Sequence, residues 1–378
     1  MTVSGSGLRP VWAEIDLDAV RANVRAIVTC AAPAAVMAVV KADGYGHGSV
    51  SVARAALEAG ATWLGVALVE EGVVLRDAGI DAPILVLSEP PAPAARSVLD
   101  HGLTPVVCTT AGIAALAAAV AATGSAEPLA VHLKVDTGMH RVGCSPDVAV
   151  ALARDVAQRA ELTLGGVCTH FAVADEPEDP YTDGQLHAFE AVLGDLEREG
   201  LRPPLVHSAN SAALITRPDA RFDLVRAGIA VYGLPAAPGL DGRLELVPAL
   251  SLHARVSFVR KLPAGARISY GLKYRLGRPT RVAVVPIGYA DGVPRALGVA
   301  HGEVLIGGHR RPIAGTITMD QLMVDVGDDD VAVGDDVVLI GAQGDEEIRA
   351  SEWAEKLGTI PYEIVCSIGV RVPRRIRG

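Results

Sequence analysis

Eight short apolar runs alternate with stretches of helical period between about residue 14 and residue 235. The runs are AVMAVVKAD (35–43), WLGVAL (63–68), PILVLSE (83–89), LTPVVCT (103–109), AVHLKVDTG (130–138), LTLGGVCTHFA (162–172), LVHSAN (205–210) and LVRAGIAVYG (224–233). Eight strand–helix repeats over about 220 residues predict an α/β fold of the (β/α)8 barrel type. An open doubly wound sheet is the alternative, but no G-x-G-x-x-G follows the first run, which disfavours its dinucleotide-binding version.

The sequence pattern changes after about residue 245. Segments such as TRVAVVPIGYADG and VGDDVVLIG read as strands joined by Gly, Pro and Asp turns, IGGHRRPIAG reads as a hairpin, and one helix, ASEWAEKLG, interrupts them. The Pro- and Gly-rich stretch LPAAPGLDG marks the boundary. We therefore predict a barrel domain over residues 14–240 and a mostly-β domain over residues 241–378, to which residues 1–13 could add a strand.

Composition and charge narrow the partners that the chain is expected to have. The formal net charge is −10 without a long basic run, which disfavours nucleic-acid binding because phosphates need clustered Lys and Arg. The five cysteines show no C-x-x-C spacing, so we expect reduced thiols and no metal site. The N-terminus lacks a signal-peptide pattern, and the most apolar segment, AGIAALAAAVAA, is too short to span a bilayer. We expect a cytoplasmic protein without a membrane partner.

Polar residues close several of the apolar runs, and the active site of a barrel gathers at the carboxyl ends of its strands. These residues are Lys41, Asp43 and Tyr45 after the first run, Lys134, Asp136 and Arg141 after the fifth, His170 and Asp175 after the sixth, His207, Ser208 and Asn210 after the seventh, and Arg226 and Tyr232 at the eighth. The second to fourth runs offer little, so one side of the barrel mouth is expected to carry the chemistry.

Lys41 lies inside the run AVMAVVKAD, which we expect to be a strand that is apolar on both sides. A lysine there either reaches solvent or loses its charge, and a Schiff base with a carbonyl cofactor removes the cost of burying the charge. The segment GYGHG follows directly, while the seventh and eighth runs offer the Ser208 hydroxyl and the backbone amides of Gly228 and Ile229. A hydroxyl with amides at strands seven and eight is the usual barrel phosphate site, so the set fits a phosphorylated aldehyde cofactor.

The segment AVVKADGYGHG resembles the pyridoxal-phosphate attachment motif of alanine racemases. The resemblance extends over about 370 residues, and the further matching segments, in the family's order, are AEIDLDAVRANV at the N-terminal helix, HLKVDTGMHRVG, THFAVADE, HSANSAA, FDLVRAGIAVYG, ISYG, PIGYADG, TMDQ and PYEIVCSIGVRVPR. Membership of that family would imply a fold type III enzyme that interconverts L- and D-alanine with pyridoxal 5'-phosphate.

The resemblance also implies a catalytic set. Lys41 would hold the cofactor and act as one base, while Tyr270 of the partner subunit would be the other base on the opposite face of the substrate carbon. The active unit would then be a homodimer with shared sites. His170 would polarise Tyr270, and Arg226 would face the pyridine nitrogen, where it donates but gives up no proton.

The other site residues are likewise implied by the resemblance. The phosphate would be held by Tyr45, Ser208, Gly228 and Ile229. Arg141 would bind the cofactor's phenolic oxygen and lie near the substrate carboxylate, which Met319 of the partner would help bind, and Lys134 would be carbamylated and fix Arg141. The entrance would be lined by Asp175, Arg295 and Ile368. The family's role, D-alanine supply for peptidoglycan, would follow.

Two positions depart from the family pattern, and they leave the substrate range open. Val370 replaces a frequent tyrosine before RVPR, and Thr316 replaces an entrance arginine. We therefore expect some turnover of serine, within about 10⁴-fold of alanine in kcat/KM. A related amino-acid decarboxylase is a second reading, although it would place a carboxylate rather than Arg226 at the pyridine nitrogen. A non-catalytic cofactor carrier is a third, although such proteins lack the β domain.

Overall fold

The computed structural model describes residues 8–378, which divide into two compact units. The barrel unit comprises residues 20–44 and 49–247, and the β unit comprises the described residues up to Ala19, residues 45–48 and residues 248–378. The expectation that residues 1–13 add a strand to the β domain falls partly on residues 1–7, which lie outside the described residues.

The strands of the described residues are β1 (Val11–Asp16), β2 (Ala35–Val39), β3 (Trp63–Val66), β4 (Ile84–Val86), β5 (Thr104–Val107), β6 (Leu129–Lys134), β7 (Leu162–Cys168), β8 (Leu205–His207), β9 (Leu224–Ala227), β10 (Leu250–Arg255), β11 (Phe258–Leu262), β12 (Arg267–Ile268), β13 (Tyr274–Arg275), β14 (Thr280–Val285), β15 (Glu303–Ile306), β16 (His309–Pro312), β17 (Leu322–Gly327), β18 (Asp336–Gln343), β19 (Glu346–Ile348) and β20 (Arg374–Arg377). The right-handed α-helices are α1 (Leu17–Ala31), α2 (Ser49–Glu58), α3 (Val69–Asp77), α4 (Ala95–Asp100), α5 (Thr110–Thr123), α6 (Pro146–Ala157), α7 (Tyr181–Arg198), α8 (Ser211–Thr216), α9 (Ala350–Leu357) and α10 (Pro361–Ser367).

The barrel unit is built on one parallel sheet in the order β9-β2-β3-β4-β5-β6-β7-β8. The two outer strands also meet, because the Asp223 N–H donates to the Val206 carbonyl at 3.0 Å and the Arg226 N–H donates to the Ala209 carbonyl at 2.9 Å. The predicted (β/α)8 barrel is therefore confirmed. Its parallel strands are covered on both faces, which is why they read as continuous apolar runs rather than as alternating ones.

The helices of the barrel unit follow local signals in the sequence. In α5 the Thr109 hydroxyl accepts the Gly112 N–H at 2.9 Å, which caps the first turn, and Gly124 ends the helix in the left-handed region at φ 68°. One face of this helix buries Ile113, Leu116 and Val120 at helical spacing. The apolar segment AGIAALAAAVAA is thus a barrel helix, and within residues 8–378 no helix is both long and apolar enough to cross a membrane.

The β unit contains a larger sheet in the order β16-β15-β18-β10-β1-β20, with β19 beside β18, and two smaller ones, β11-β14-β17 and β12-β13. Strand β1 pairs antiparallel with β10 and parallel with β20, so Val11–Asp16 belongs to this unit. The predicted hairpin is present as β15 and β16, whose two-residue turn places Gly307 and Gly308 at φ 63° and 78°. The sequence pattern missed α10, which begins with Pro361 at its first turn.

The chain turns left-handed directly after β2. Ala42, Asp43, Gly44 and Tyr45 have φ values of 51°, 50°, 61° and 52°, so the backbone makes a left-handed turn rather than continuing as a strand. The apolar run was expected to hold Lys41 within the first barrel strand. That expectation is wrong by two residues, since β2 ends at Val39 and Lys41 opens the turn, half-buried.

Candidate active site

Arg226 is the centre of the polar cluster at the carboxyl ends of β6 to β9. Its side chain is buried, and its Nη1 donates to His207 Nδ1 at 2.8 Å and to the His207 carbonyl at 3.0 Å. Its Nη2 donates to the Thr169 carbonyl at 2.7 Å, to the Ser208 carbonyl at 2.8 Å and to His170 Nδ1 at 3.2 Å. Three carbonyls and two imidazoles, rather than a carboxylate, therefore hold this buried cation.

The same hydrogen bonds fix where the imidazole protons lie. A guanidinium only donates, so His207 Nδ1 accepts from Arg226 and the ring carries its proton on Nε2. That proton points at His132 Nδ1, 2.9 Å away, which leaves the His132 proton on its own Nε2. His170 likewise accepts at Nδ1 and carries its proton on Nε2.

All three histidines are electrically neutral near pH 7. Burial lowers the pKa of His132 to about 4, and the nearby Arg226 guanidinium adds to that shift. Desolvation followed by the Arg226 charge also lowers the pKa values of His170 and His207 well below the usual range. The cluster therefore contains one fixed cation, Arg226, and neutral imidazole rings around it that accept or donate hydrogen bonds without carrying charge.

Lys134 ends β6 beside this cluster. Burial lowers the pKa of its ammonium, and the positive charges of Arg226 and Arg141 act in the same direction. The Arg141 side chain itself is exposed. The neutral, nucleophilic form of Lys134 is therefore easier to reach than that of an exposed lysine.

The hydroxyl that contacts the Gly228 backbone belongs to Ser211, not to Ser208. Ser211 Oγ accepts the N–H of Gly228 at 2.9 Å and that of Ala230 at 3.4 Å. Ser208 instead donates its hydroxyl to the Ala220 carbonyl at 2.6 Å. The sequence placed Ser208 at this backbone because Ser208 was expected to end the seventh strand. The overlooked signal was Asn210, whose side chain caps α8 and so places Ser211 at the start of that helix.

Two tyrosines of the candidate set lie in different units. Tyr232, in the barrel unit, is fully buried and donates its hydroxyl to the Val39 carbonyl at 2.9 Å, which ties the end of β2 to the segment after β9. Tyr45, in the β unit, is buried with its ring centroid 6.0 Å from that of Tyr362. Sequence reasoning did not single out Tyr362, which becomes a candidate through this contact alone.

The candidates expected from a partner subunit are exposed in the β unit. Tyr270 is 71% exposed and Met319 is 52% exposed. The Thr316 hydroxyl donates to the Tyr270 carbonyl at 3.0 Å, and the Ser269 hydroxyl donates to the Thr316 carbonyl. Thr316, which departs from the family pattern, thus holds the backbone that presents Tyr270.

The entrance candidates are placed less uniformly. Asp175 of the barrel unit and Arg295 of the β unit are exposed, as is Val370. Ile368 is buried at 3% exposure in the β unit. Its place at the entrance stays a prediction.

Comparisons with known proteins identify both units. The family described as "Alanine racemase, N-terminal domain" matches residues 15–236, and "Alanine racemase, C-terminal domain" matches residues 249–376. The alanine racemase of Symbiobacterium thermophilum is 52% identical over 369 residues, which is 97% of each chain. Among solved structures, the alanine racemase of D-cycloserine-producing Streptomyces lavendulae matches with a TM-score of 0.93 at 44% identity, covering 99% of this chain and 98% of the other. That of E. faecalis matches with a TM-score of 0.94 at 38% identity over 100% of both chains.

Proposed function

Because this chain belongs to the alanine racemase family, whose pyridoxal-phosphate-dependent members interconvert L- and D-alanine, we propose that it racemises alanine with two bases, Lys41 and the partner subunit's Tyr270. The observation that carries the proposal is the Arg226 cluster, a buried guanidinium whose described partners are carbonyls and neutral imidazoles. The decarboxylase and carrier readings lose their basis, since the chain carries both domains of the racemase family.

The residues of the barrel unit fit pyridoxal phosphate. The amides of Gly228 and Ala230 converge on the Ser211 hydroxyl, a donor arrangement suited to a phosphate. We propose that Ser211, in place of Ser208, holds the phosphate together with Tyr45 and the backbone of Gly228 and Ile229. When bound through Lys41, the cofactor supplies an electron sink that makes the substrate α-proton removable.

Arg226 would act on the electronic character of that sink. Its five hydrogen bonds fix the guanidinium, and arginine keeps its proton in proteins, so it can only donate to a pyridine nitrogen. By keeping that nitrogen unprotonated, Arg226 would weaken electron withdrawal by the ring and so would favour return of the proton to the α-carbon over competing transformations of the amino acid.

Inversion requires one base on each face of the α-carbon. One base takes the proton and the other returns a proton from behind, and their roles exchange with the direction of the reaction. A phenol is a weak acid, so Tyr270 needs a donor that stabilises its phenolate. His170 can supply the Nε2 proton for this purpose because its Nδ1 is already bonded to Arg226.

We further propose that Tyr270 and Met319 act in trans in a homodimer. The support is the exposure of both side chains, together with the Ser269 and Thr316 hydrogen bonds that brace the Tyr270 backbone. In such a dimer each site takes Lys41 from one subunit and Tyr270 from the other.

Lys134 is proposed to be carbamylated. The Nζ lone pair attacks carbon dioxide, the nitrogen loses a proton, and the resulting anionic carbamate pairs with Arg141 and orders its exposed side chain. The lowered pKa of Lys134 supports this step because only the neutral amine is nucleophilic. Mass spectrometry of the intact protein prepared in bicarbonate tests it, and a bare ammonium in an experimental density map would contradict it.

Complementation between two inactive variants tests the shared site. Lys41→Ala and Tyr270→Phe homodimers should both be inactive, whereas unfolding and refolding them together should restore about a quarter of the wild-type activity, since half of the dimers then contain one intact site. Refolding each variant alone is the control. Absence of recovery in verified mixed dimers would contradict the action of Tyr270 in trans.

Isotope exchange tests the assignment of the two bases. In D₂O, Tyr270→Phe should exchange the α-proton of only the enantiomer whose proton faces Lys41, while racemisation falls by roughly 10²- to 10⁴-fold. Cofactor absorbance should persist. Equal exchange from both enantiomers would show that Tyr270 is not a base. The same assay with serine as the substrate tests the expected turnover of serine. We also propose that the protein is cytoplasmic and supplies D-alanine for peptidoglycan, which this assay does not test.

A further inference from the structure

The turn that follows Lys41 is strained and needs external support. Ala42, Asp43 and Gly44 lie in the left-handed region with φ of 51°, 50° and 61°. This conformation is sterically unfavourable for residues other than glycine, so two of the three positions oppose the turn. Because Lys41 is the residue directly before them, the direction of its side chain depends on whether this turn is held.

Glu71 supports the turn from the next βα connection. Its Oε1 accepts the Ala42 N–H at 2.6 Å, while its Oε2 accepts the N–H groups of Ala67 at 2.8 Å and Leu68 at 3.1 Å. The half-buried carboxylate thus joins the turn after β2 to the loop after β3. Hydrogen bonds from an amide to an ionised carboxylate are among the stronger ones in proteins.

Two further hydrogen bonds close the turn but do not reach Ala42. The Gly44 N–H donates to the Val40 carbonyl at 2.9 Å, and Asp43 Oδ1 accepts the Ser49 N–H at 2.9 Å. The amide of Ala42, which is the first one after the lysine, has Glu71 as its acceptor. No other side chain described in residues 8–378 bonds this amide.

We propose that Glu71 is a positioning residue for the racemisation, which holds the left-handed turn through Ala42 and thereby directs the Lys41 amine. The inference rests on the proposed role of Lys41. The two carboxylate oxygens of Glu71 have different partners. Oε2 accepts backbone N–H groups at the start of α3, as the N3 glutamate of a capping box does, and Oε1 accepts the Ala42 N–H of the turn. If Glu71 only capped α3, the hydrogen bonds of Oε2 would be sufficient.

Glu71→Gln and Ala42→Gly separate these two roles. Glu71→Gln keeps the shape but leaves only one acceptor oxygen, so the turn and the cap can no longer both be served. Ala42→Gly lowers the steric cost of the left-handed region without touching the cap. If Glu71 acts through the turn, Ala42→Gly should restore Glu71→Gln, which loss of a helix cap would not allow. Glu70→Gln, at the exposed neighbour on α3, is the matched control.

Three measurements on the holoenzyme test how these variants affect the turn and Lys41. The first is α-proton exchange in D₂O for each enantiomer, the second is amide hydrogen exchange over residues 40–48, and the third is trapping of the cofactor on Lys41 by borohydride with detection by mass spectrometry. We expect Glu71→Gln to slow exchange of the Lys41-facing enantiomer by about 10- to 100-fold and to accelerate amide exchange in the turn. The Tyr270-facing exchange should change less, and Glu70→Gln should match the wild type.

The outcomes distinguish this inference from the proposed function. The inference would be overturned if Glu71→Gln changed neither amide hydrogen exchange in the turn nor α-proton exchange of the Lys41-facing enantiomer. It would also be overturned if adding Ala42→Gly to Glu71→Gln did not restore that α-proton exchange. Full recovery in the double variant supports it. Failure of borohydride to trap any cofactor on Lys41 of the wild type would instead overturn the proposed function.

Discussion

Replacing Ser211 by alanine tests which hydroxyl serves the phosphate. The substitution removes the acceptor that the Gly228 N–H meets at 2.9 Å and the Ala230 N–H at 3.4 Å. All three residues are buried, so water does not readily replace the lost oxygen.

The magnitude follows from the charge of the ligand. A hydrogen bond from a neutral donor to a charged group contributes about 1.5–3 kcal/mol. Since 1.4 kcal/mol is tenfold in affinity, Ser211→Ala should weaken pyridoxal phosphate binding by about 10- to 150-fold. Ser208→Ala loses instead the 2.6 Å hydrogen bond to the Ala220 carbonyl, which should lower the free energy of unfolding by about 1 kcal/mol and leave cofactor affinity unchanged.

Titration of the apoenzyme with pyridoxal phosphate, followed by absorbance, measures the affinity, and thermal unfolding of the same samples measures stability. The two serine variants act as controls for each other, since both remove a buried hydroxyl from neighbouring turns. A larger affinity loss in Ser208→Ala than in Ser211→Ala would refute the reasoning and restore the assignment drawn from the sequence.

Three further outcomes follow from the structure. His132 has a folded pKa of about 4, below its unfolded value of about 6.5, so the unfolded chain binds the extra proton first and stability falls as the pH drops below about 6.5. A histidine of this kind contributes up to about 1.4 kcal/mol per pH unit to the slope of the unfolding free energy against pH. His132→Gln should remove that contribution between pH 6 and pH 4.5, which denaturant unfolding at several pH values measures. Thr316→Val should lower kcat more than it lowers cofactor affinity, because it frees the Tyr270 carbonyl without touching the barrel unit; an unchanged kcat would show that the brace is dispensable. Arg226→Ala should destabilise the apoenzyme by about 2–5 kcal/mol because it leaves a large buried cavity and unpaired carbonyls, and thermal unfolding close to that of wild type would contradict the cluster's structural weight.

Much of the fold follows from local pattern. The continuous apolar runs predicted parallel strands because both faces of such a sheet are covered, and the Gly-Gly dipeptide at Gly307 predicted a hairpin because only glycine readily takes both left-handed positions. The same pattern did not locate the ends of the strands. Lys41 looked like a strand residue because Val39 and Val40 precede it, and nothing in the sequence shows that the next residues turn left-handed.

The sequence by itself therefore determined the barrel, the order of its strands and the side of the mouth that carries polar groups, because periodicity records which faces of a segment leave water. It could not decide which polar atoms meet. His132 and His207 are separated by 75 positions, yet the Nε2–H of His207 donates to His132 Nδ1 at 2.9 Å. Ser211 rather than Ser208 faces Gly228 because of one cap on α8. Such choices depend on distances of a few tenths of an ångström between distant segments, and only the tertiary structure sets those distances.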